Sequence, residues 1–351
     1  MKKKLTLAEI AKMADVNPST VSRVLHQDPK AKISAPVRKK ILRICDKYNY
    51  RPSATARSVA SGLTYRVGLI LGALEQDLAS PTLSLFIRGL CDELQKNHYT
   101  LSILWAEHPD GTRDQQVADF LMSDIADGYV LGSTMLESEI TEKLKDMKRP
   151  LAYLANNIAY HPEGISGVYG TAVNACKQIW QMIRPDQYGK IIYVCGQGNE
   201  QKISDMFCAA DELHIRRSAV KQYNLNEKTT DFPFDRHNAA EWAEHHLDLL
   251  KKQKIIWCGS DLTALGIADI LKKNGIRPGR DVGLIGYDNI ENSRCYREEP
   301  VLTTIDNRQE SMGKQLAQML LAMIRGENTH PVTIPVEAEL IIRQTFNNTI
   351  V

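Results

Sequence analysis

Residues 6–25 read TLAEIAKMADVNPSTVSRVL and specify the fold of the amino-terminal part of the chain. Thr6 followed three residues later by Glu9 forms a capping box, so a helix is predicted to begin there. Asn17 is a capping residue, and Pro18 follows at the first position of a second helix, where a missing N–H costs nothing. The stretch therefore predicts two short helices joined by a three-residue turn.

The second predicted helix has an apolar face and a polar face. Val21, Val24 and Leu25 form the apolar stripe. Helical spacing places four polar side chains on the other face: Ser19, Ser22, Arg23 and His26. An arginine can donate two parallel hydrogen bonds to guanine O6 and N7, and the other three can reach neighbouring bases or phosphates.

A third helix is predicted from the capping residue Ser34, with Val37, Ile41, Ile44 and Tyr48 on its buried side. Two short helices around a turn, closed by a third, form the helix-turn-helix module that lays its second helix in the major groove of DNA. From spacing alone, the alternative is a plain three-helix bundle with a solvated basic face.

Charge is distributed unevenly along the 351 residues. Residues 1–62 hold 14 Lys+Arg and 4 Asp+Glu, a balance of +10, whereas residues 63–351 hold 30 and 38, a balance of −8. Such a division indicates a polyanionic partner for the basic segment alone. The length and the 43% hydrophobic content are typical of a globular protein with about two to three folded units.

The sequence does not favour a membrane protein or a secreted protein. The longest apolar run, at residues 67–74, is far shorter than the roughly 20 residues that span a bilayer, and no signal peptide is apparent. The seven cysteines include no CxxC pair, so free thiols in a reducing, cytoplasmic compartment are expected.

Three blocks of the basic segment, at residues 6–11, 20–25 and 49–52, resemble the DNA-binding headpiece of the LacI/GalR family of transcription regulators. The resemblance implies that the headpiece covers residues 1–52 and binds operator DNA. Further Lys and Arg side chains, among them Arg38 and Lys39, would contact phosphates. The predicted DNA-binding residues are Thr6, Pro18, Ser19, Thr20, Ser22, Arg23 and His26.

Residues 53–62 are rich in Ala and Ser and, taken alone, indicate a flexible linker with some helical tendency. The resemblance implies instead a hinge helix that orders on operator DNA and inserts an apolar side chain into the minor groove. Val59 aligns with that wedge position, where most family members have leucine.

From Tyr65 onward, short apolar runs alternate with helical patterns, and the rhythm restarts after about residue 165. This βαβα pattern predicts parallel sheets covered by helices, in two similar lobes. The stretches at 283–288, 302–305 and 340–345 extend the family resemblance to the whole chain. The implied fold is a two-lobed, periplasmic-binding-protein-like (type I) core at residues 63–351. We expect lobe 1 at about 63–165 and 303–330, and lobe 2 at about 166–302 and 331–351.

The default ligand site on such sheets lies at the carboxyl ends of the strands, in a cleft between the lobes. The resemblance assigns seven positions to it: Thr82, Ser84, Ala155, Asp205, Phe232, Ser260 and Asp288. Several depart from the family pattern, since Ala155, Asp205 and Ser260 stand where Asp, Arg and Asn are usual. Two carboxylates would favour a neutral polyol or a cationic ligand. An unusual small polar ligand, an ordinary sugar and a pocket without an effector role all stay open.

Sequence motifs for catalysis are not apparent, so no enzymatic activity and no cofactor are expected. His237, Glu241 and His245 have helical spacing that could hold zinc, but a solvated helix surface is the preferred interpretation.

The sequence thus predicts a DNA-binding transcription regulator, a repressor whose operator affinity a small polar effector modulates. A near-palindromic operator and a homodimer are expected, because two half-sites multiply specificity. The six residues that follow Thr345 leave no room for a coiled coil that makes some relatives tetramers. The alternative from another class is a cytoplasmic sugar-binding or sugar-processing α/β protein with an incidental basic head.

Overall fold

The computed structural model describes residues 5–25, 31–51, 54–71, 80–106, 113–132, 149–155, 164–183, 191–196, 199–225, 236–292, 299–327 and 330–347. The chain divides into two compact units, Met1–Tyr65 and Arg66–Val351. Among the described residues, no helix has both the length and the apolar character needed to cross a membrane.

The described part of the first unit contains four helices, α1 (Leu7–Ala14), α2 (Pro18–Leu25), α3 (Ala35–Lys47) and α4 (Ala54–Ser61). Both halves of the predicted capping box are present at α1. The Glu9 N–H donates to the Thr6 hydroxyl over 3.3 Å, and the Thr6 N–H donates to the Glu9 carboxylate over 2.6 Å. Ile10, Val21 and Ile41, one from each of the first three helices, meet in a buried core.

The prediction that Tyr48 is buried is wrong, because 47% of its surface is exposed. Helix α3 ends at Lys47, and Asn49 adopts a left-handed conformation with φ of 48°. That turn brings Tyr50, two residues later, into the core instead.

The second unit contains two six-stranded sheets. The first sheet is parallel throughout and has the spatial order β11-β5-β4-β3-β1-β2. Its strands are β1 (Arg66–Leu71), β2 (Thr100–Trp105), β3 (Gly128–Leu131), β4 (Leu151–Ala155), β5 (Ser166–Thr171) and β11 (Thr333–Glu337). Helices α5 (Pro81–Lys96), α6 (Arg113–Met122) and α12 (Gln309–Ile324) accompany it, with apolar clusters packed on the sheet.

The second sheet has the order β12-β10-β9-β8-β6-β7, and only β12 runs antiparallel to its neighbour. Its strands are β6 (Ile191–Cys195), β7 (Val220–Asn224), β8 (Ile255–Cys258), β9 (Gly283–Tyr287), β10 (Thr303–Asp306) and β12 (Glu339–Ile341). Its helices are α7 (Val173–Ile183), α8 (Glu200–Glu212), α9 (Arg236–His245), α10 (Leu247–Leu250) and α11 (Asp261–Lys273). The central strands β6, β8 and β9 are buried along their whole length, which explains their uninterrupted apolar sequences.

The lobe boundaries expected from the sequence need correction at three strands. β5 pairs with β4 and therefore belongs to the first sheet, not to lobe 2. β10 pairs with β9 in the second sheet, not in lobe 1, and β11 returns to the first sheet beside β5. Strand pairing decides sheet membership, and the chain crosses between the sheets near residues 172, 307 and 338.

Helices α5 and α12 approach each other closely at two glycines. A Cβ on Gly89 would come within 2.0 Å of the Glu310 carbonyl oxygen, and a Cβ on Gly313 within 2.2 Å of the Phe86 carbonyl oxygen. Only glycine permits this backbone-to-backbone contact. It holds α12 against the first sheet although β10, which precedes it, lies in the second.

Candidate functional site

Helix α2 presents the face that the sequence assigned to DNA. Val21 and Val24 are buried in the headpiece core, whereas Pro18, Ser19 and Arg23 are exposed. Thr20 and Ser22 are half-buried. An exposed arginine beside an exposed hydroxyl, on a helix fixed by its opposite face, can reach base edges in a groove.

Other predicted DNA contacts have different surroundings. The Thr6 hydroxyl is engaged in the capping box, where it donates to the Glu9 carboxylate over 2.9 Å. On α3, Lys39 is exposed and Arg38 is half-buried. His26 lies outside the described residues.

Helix α4 coincides with the predicted hinge, and Val59, the one large apolar residue in its sequence, is 82% exposed. A minor-groove wedge needs an accessible apolar side chain on a helix. Val59 meets that geometric requirement.

In the second unit, Asp288 forms the centre of a polar cluster beyond the end of β9. Its Oδ1 accepts hydrogen bonds from Lys202 Nζ at 2.9 Å and from Asn307 Nδ2 at 3.0 Å. Lys202 Nζ also donates to the Gly259 carbonyl at 2.9 Å and lies 4.2 Å from the centre of the Tyr287 ring. Burial raises the pKa of Asp288, while the charge and hydrogen bond of Lys202 oppose that rise.

Lys202 was missed by the sequence analysis. The family pattern directed attention to an arginine near position 205, and this lysine lies about one turn earlier in α8. Its contact with Asp288 joins residues 86 positions apart, so no local signal reveals it. Lys202 therefore offsets the charge of Asp288, one of the two carboxylates that the sequence placed at the site.

Two asparagines beside this pair were also missed. Asn199 Nδ2 donates to the Gly196 carbonyl at 2.9 Å, and Asn307 Nδ2 donates to Asp288. Because each amide nitrogen faces an acceptor, each amide oxygen is directed elsewhere, and both oxygens are buried without a hydrogen-bond partner among the residues that the structure describes. The Asn199 oxygen lies against Gly259, where a Cβ would come within 2.8 Å. The cluster therefore offers acceptors to a ligand with hydroxyl or N–H donors.

Asp205 offers no free carboxylate to this cluster, because both of its oxygens accept other hydrogen bonds. It is buried, and its oxygens accept from the Ala172 N–H at 2.8 Å and from Gln201 Nε2 at 2.5 Å. Ala172 precedes α7 at the first crossover, so Asp205 ties α8 to that crossover. Burial raises the pKa of Asp205, and these two hydrogen bonds oppose the rise.

Ser260 and Asp261 follow β8 and stabilise the fold around it. The Ser260 hydroxyl caps α11 by accepting from the Thr263 N–H at 3.1 Å. Asp261 is fully buried and accepts from the Thr304 hydroxyl at 2.6 Å and from the Ile290 N–H at 2.8 Å. Burial, followed by the neighbouring Asp288, raises the pKa of Asp261 well above its usual range.

The remaining effector candidates lie in the first lobe or outside the described residues. The Thr82 hydroxyl is 2.7 Å from that of Ser80, and Ser84 Oγ donates to the Pro81 carbonyl at 2.7 Å, both at the start of α5. Ala155 ends β4, but its methyl group is buried in an apolar cluster and offers no polar contact. Phe232 lies outside the described residues.

The zinc alternative gains no support within the described ranges, where no three His, Cys, Asp or Glu side chains converge as metal ligands. His245 Nδ1 lies 2.8 Å from the Glu241 carbonyl oxygen, a contact within one turn of α9.

Comparison with known proteins gives two domain matches. Residues 6–53 match the family described as bacterial regulatory proteins, lacI family, and residues 188–346 match the periplasmic binding protein-like domain. The HTH-type transcriptional regulator CelR of Thermobifida fusca is 25% identical over 346 residues, which are 97% of this chain and 98% of CelR. The HTH-type transcriptional repressor PurR of Vibrio campbellii is 25% identical over 356 residues, with coverage of 97% and 98%.

Solved structures agree with this fold. The lac repressor dimer bound to operator and the anti-inducer ONPF superimposes with a TM-score of 0.70 at 18% identity, covering 98% of this chain and 99% of that one. A complex of the regulator CelR with cellobiose gives a TM-score of 0.64 at 21% identity, covering 98% and 100%. The chain thus combines a headpiece that matches the lacI family of bacterial regulatory proteins with a periplasmic binding protein-like body, and it is similar along nearly its whole length to HTH-type transcriptional regulators and repressors.

Proposed function

We propose that this regulator represses transcription by inserting α2 into the major groove at each half of a near-palindromic operator. The proposal rests on the exposure of Ser19 and Arg23 opposite the buried face of α2. The segment that contains them, residues 1–62, has a net charge of +10. DNA as the target and the free state of the six described cysteines support a cytoplasmic location.

Gel-shift titration at several salt concentrations tests DNA recognition. We expect log K to fall with log salt by about 0.9 per phosphate neutralised, together with a preference for one sequence over random duplex. Equal, weak binding to every duplex would contradict specific recognition and favour a sugar-binding protein with an incidental basic head.

We propose a homodimer, in which the edge strand β2 contributes to the interface. Ile103 and Trp105 lie two residues apart on β2, so they share one face of the strand, and they are 46% and 50% exposed. Exposed apolar side chains on a sheet edge are typical of protein–protein contact. Two operator half-sites are bound by two headpieces, so the partner that we propose at β2 is a second copy of the chain.

The effector that we propose is a small, neutral molecule with several hydroxyl groups, bound at the carboxyl ends of β6, β8 and β9. The acceptor oxygens of Asn199 and Asn307 support donors on the ligand, and the Lys202–Asp288 pair disfavours a cationic one. Solved LacI-family regulators with bound cellobiose or ribose support this ligand class.

Thermal-shift screening of the full chain against sugars, polyols, amines and nucleosides tests the effector proposal, because a ligand that binds the folded state raises the midpoint. We expect a polyhydroxylated compound to raise it in the wild type and not in Asp288→Asn. A midpoint raised by amines alone would contradict the charge argument.

A further inference from the structure

The ammonium group of Lys202 is enclosed by three groups of different chemistry. Lys202 Nζ donates to Asp288 Oδ1 and to the Gly259 carbonyl, each over 2.9 Å, and it lies 4.2 Å from the centre of the Tyr287 ring. The Lys202 side chain is only 20% exposed, and Asp288 and Tyr287 are buried. A carboxylate, a carbonyl oxygen and an aromatic face are groups with which proteins bind ammonium ligands. Together, Asp288, Gly259 and Tyr287 form what we call the ammonium cage.

The backbone at Asp288 adopts a conformation that few residues other than glycine adopt, with φ of +107°. It is held there by its N–H, which donates to the Ile305 carbonyl over 2.7 Å. Residues in sparsely populated backbone regions cluster at sites that bind ligands. The geometry of Asp288 therefore favours a binding role for the ammonium cage over a purely structural one.

The ammonium cage lies where a sheet of this kind binds its ligands. Gly259 follows β8, Tyr287 ends β9, and α8, which carries Lys202, follows β6. These three strands are neighbours in the second sheet, and ligands bind beyond the carboxyl ends of such strands. Because Lys202 is tethered there, its effective concentration at the cage is high, and a free amine must displace it to bind.

We propose that Lys202 is an internal ligand of the ammonium cage and determines the specificity of the effector site. Its ammonium group occupies the place of a cationic ligand, so the site is closed to amines. Hydroxyl donors bind instead to the amide oxygens of Asn199 and Asn307 beside the cage. The inference rests on the proposed function, because it concerns the same site. Removal of the Lys202 side chain should convert the site into one that binds an alkylammonium ion.

Thermal unfolding of full-length Lys202→Ala with propylammonium chloride tests the proposal. Alanine lacks Cγ, Cδ, Cε and Nζ of lysine, and propylammonium supplies the same chain of three carbons and one nitrogen. We expect propylammonium to raise the midpoint of Lys202→Ala by about 2–4 °C relative to potassium chloride at the same concentration, and to leave the wild-type midpoint unchanged. 1-Propanol, which has the same length and no charge, should not raise it. No effect on Lys202→Ala, or an equal effect on the wild type, would overturn the proposal.

Lys273→Ala is the matched control, because Lys273 also pairs with a carboxylate, that of Glu244, over 2.8 Å. This pair lies at the surface, with side chains 70% and 51% exposed, so its loss should create no enclosed site for an amine. A midpoint shift in Lys273→Ala as large as in Lys202→Ala would show a general effect of the amine and would refute the internal ligand.

The walls of the cage are tested in the Lys202→Ala background. Adding Asp288→Asn should abolish the effect of propylammonium, because the amide carries no charge. Adding Tyr287→Leu should weaken propylammonium binding about two- to tenfold, through loss of the cation–π contact. An effect that persists in both double variants would place the amine elsewhere and would contradict the proposal.

Lys202→Met covers the case in which Lys202→Ala does not fold in potassium chloride. Methionine retains an apolar stem that fills the space of the propyl chain, so propylammonium should not stabilise this variant. Circular dichroism should then show that propylammonium restores the helical signal of Lys202→Ala and that 1-propanol does not. A Lys202→Ala chain that stays unfolded with propylammonium, or a stabilised Lys202→Met, would count against the internal ligand.

The internal ligand and the proposed effector class fail separately. If propylammonium stabilises Lys202→Ala but no polyhydroxylated compound stabilises the wild type, the ammonium cage is supported and the effector class is wrong. If a polyhydroxylated compound stabilises the wild type and propylammonium leaves Lys202→Ala unchanged, the effector class is supported and the internal ligand is refuted.

Discussion

Arg23 extends from the exposed side of α2, opposite the buried Val21 and Val24. We expect Arg23→Ala to weaken operator binding by about 1–3 kcal/mol and to flatten the preference at one base pair in each half-site, because a bidentate contact with guanine supplies both effects. Competition binding with operators altered at one base pair at a time measures this.

Lys39→Ala is the matched control for Arg23→Ala, since Lys39 is an exposed cation of the same unit, on α3. It should weaken binding to all duplexes alike and reduce the salt slope by about one phosphate. If Arg23→Ala behaved in this way too, its base-reading role would be wrong.

Asp205 provides a prediction about pH. Burial raises the pKa of Asp205 in the folded protein. Its favourable contribution to the free energy of unfolding is therefore complete below the unfolded pKa of about 4, and it is lost as the pH rises through the pKa of the folded state. Because asparagine does not ionise, the Asp205→Asn variant does not lose stability in this way as the pH rises. The new amide oxygen can still accept from the Ala172 N–H, and Gln201 Oε1, which has no partner in the described part of the chain, can accept from the new amide nitrogen.

The stability of Asp205→Asn relative to wild type should therefore increase between about pH 4 and pH 7, measured by urea unfolding. Asp205→Ala is the contrasting variant, because it leaves the Ala172 N–H without its acceptor and should cost about 1–3 kcal/mol. A stability difference between Asp205→Asn and wild type that does not change with pH would contradict the assignment of this carboxyl.

At the scale of elements, the crossing of α5 and α12 depends on Gly89 and Gly313. Gly313→Ala places a Cβ against the Phe86 carbonyl oxygen, a backbone atom that cannot move without displacing α5. We expect a loss of about 1–3 kcal/mol and a lower thermal midpoint, by roughly 2–4 °C per kcal/mol for a domain of this size. Differential scanning calorimetry measures the shift.

Gly326→Ala controls for the loss of a glycine without a steric conflict. Gly326 follows α12 with φ of +71°, and a Cβ there would meet nothing within 4 Å. Only the strain of a left-handed alanine should appear, about 1 kcal/mol. Equal destabilisation by both substitutions would argue against the close helix contact as the cause.

At the scale of the whole molecule, the proposed dimer predicts a difference between the two edges of the first sheet. Trp105→Asp on β2 should shift the protein toward monomers in sedimentation equilibrium and weaken operator binding, because a charge would be buried in the interface. Val332→Asp places the same charge beside β11, at the opposite edge, and should leave the dimer intact. A dimer that survives Trp105→Asp would exclude β2 from the interface.

The headpiece could be predicted in detail because its signals are local. The capping box at Thr6 and Glu9 and the apolar spacing of Val21 and Val24 involve residues three or four positions apart, and the structure confirms both. The two sheets show the opposite case, since β10 and β11 were assigned to the wrong lobes. β11 pairs with β5, where Thr333 lies opposite Gly167, 166 positions earlier. β10 pairs with the preceding strand β9, but an apolar run does not specify which sheet it joins.

The amino-acid sequence was enough to predict the class of the protein, the position of the helix proposed to read DNA and the division into a basic head and an acidic body, because helix signals, motifs and charge are properties of neighbouring residues. The chemistry of the proposed effector site depends instead on the tertiary structure. It pairs Asp288 with Lys202 and ties Asp205 to Ala172. A carboxylate's character depends on what surrounds it, and folding brings those partners from positions 33 and 86 residues away.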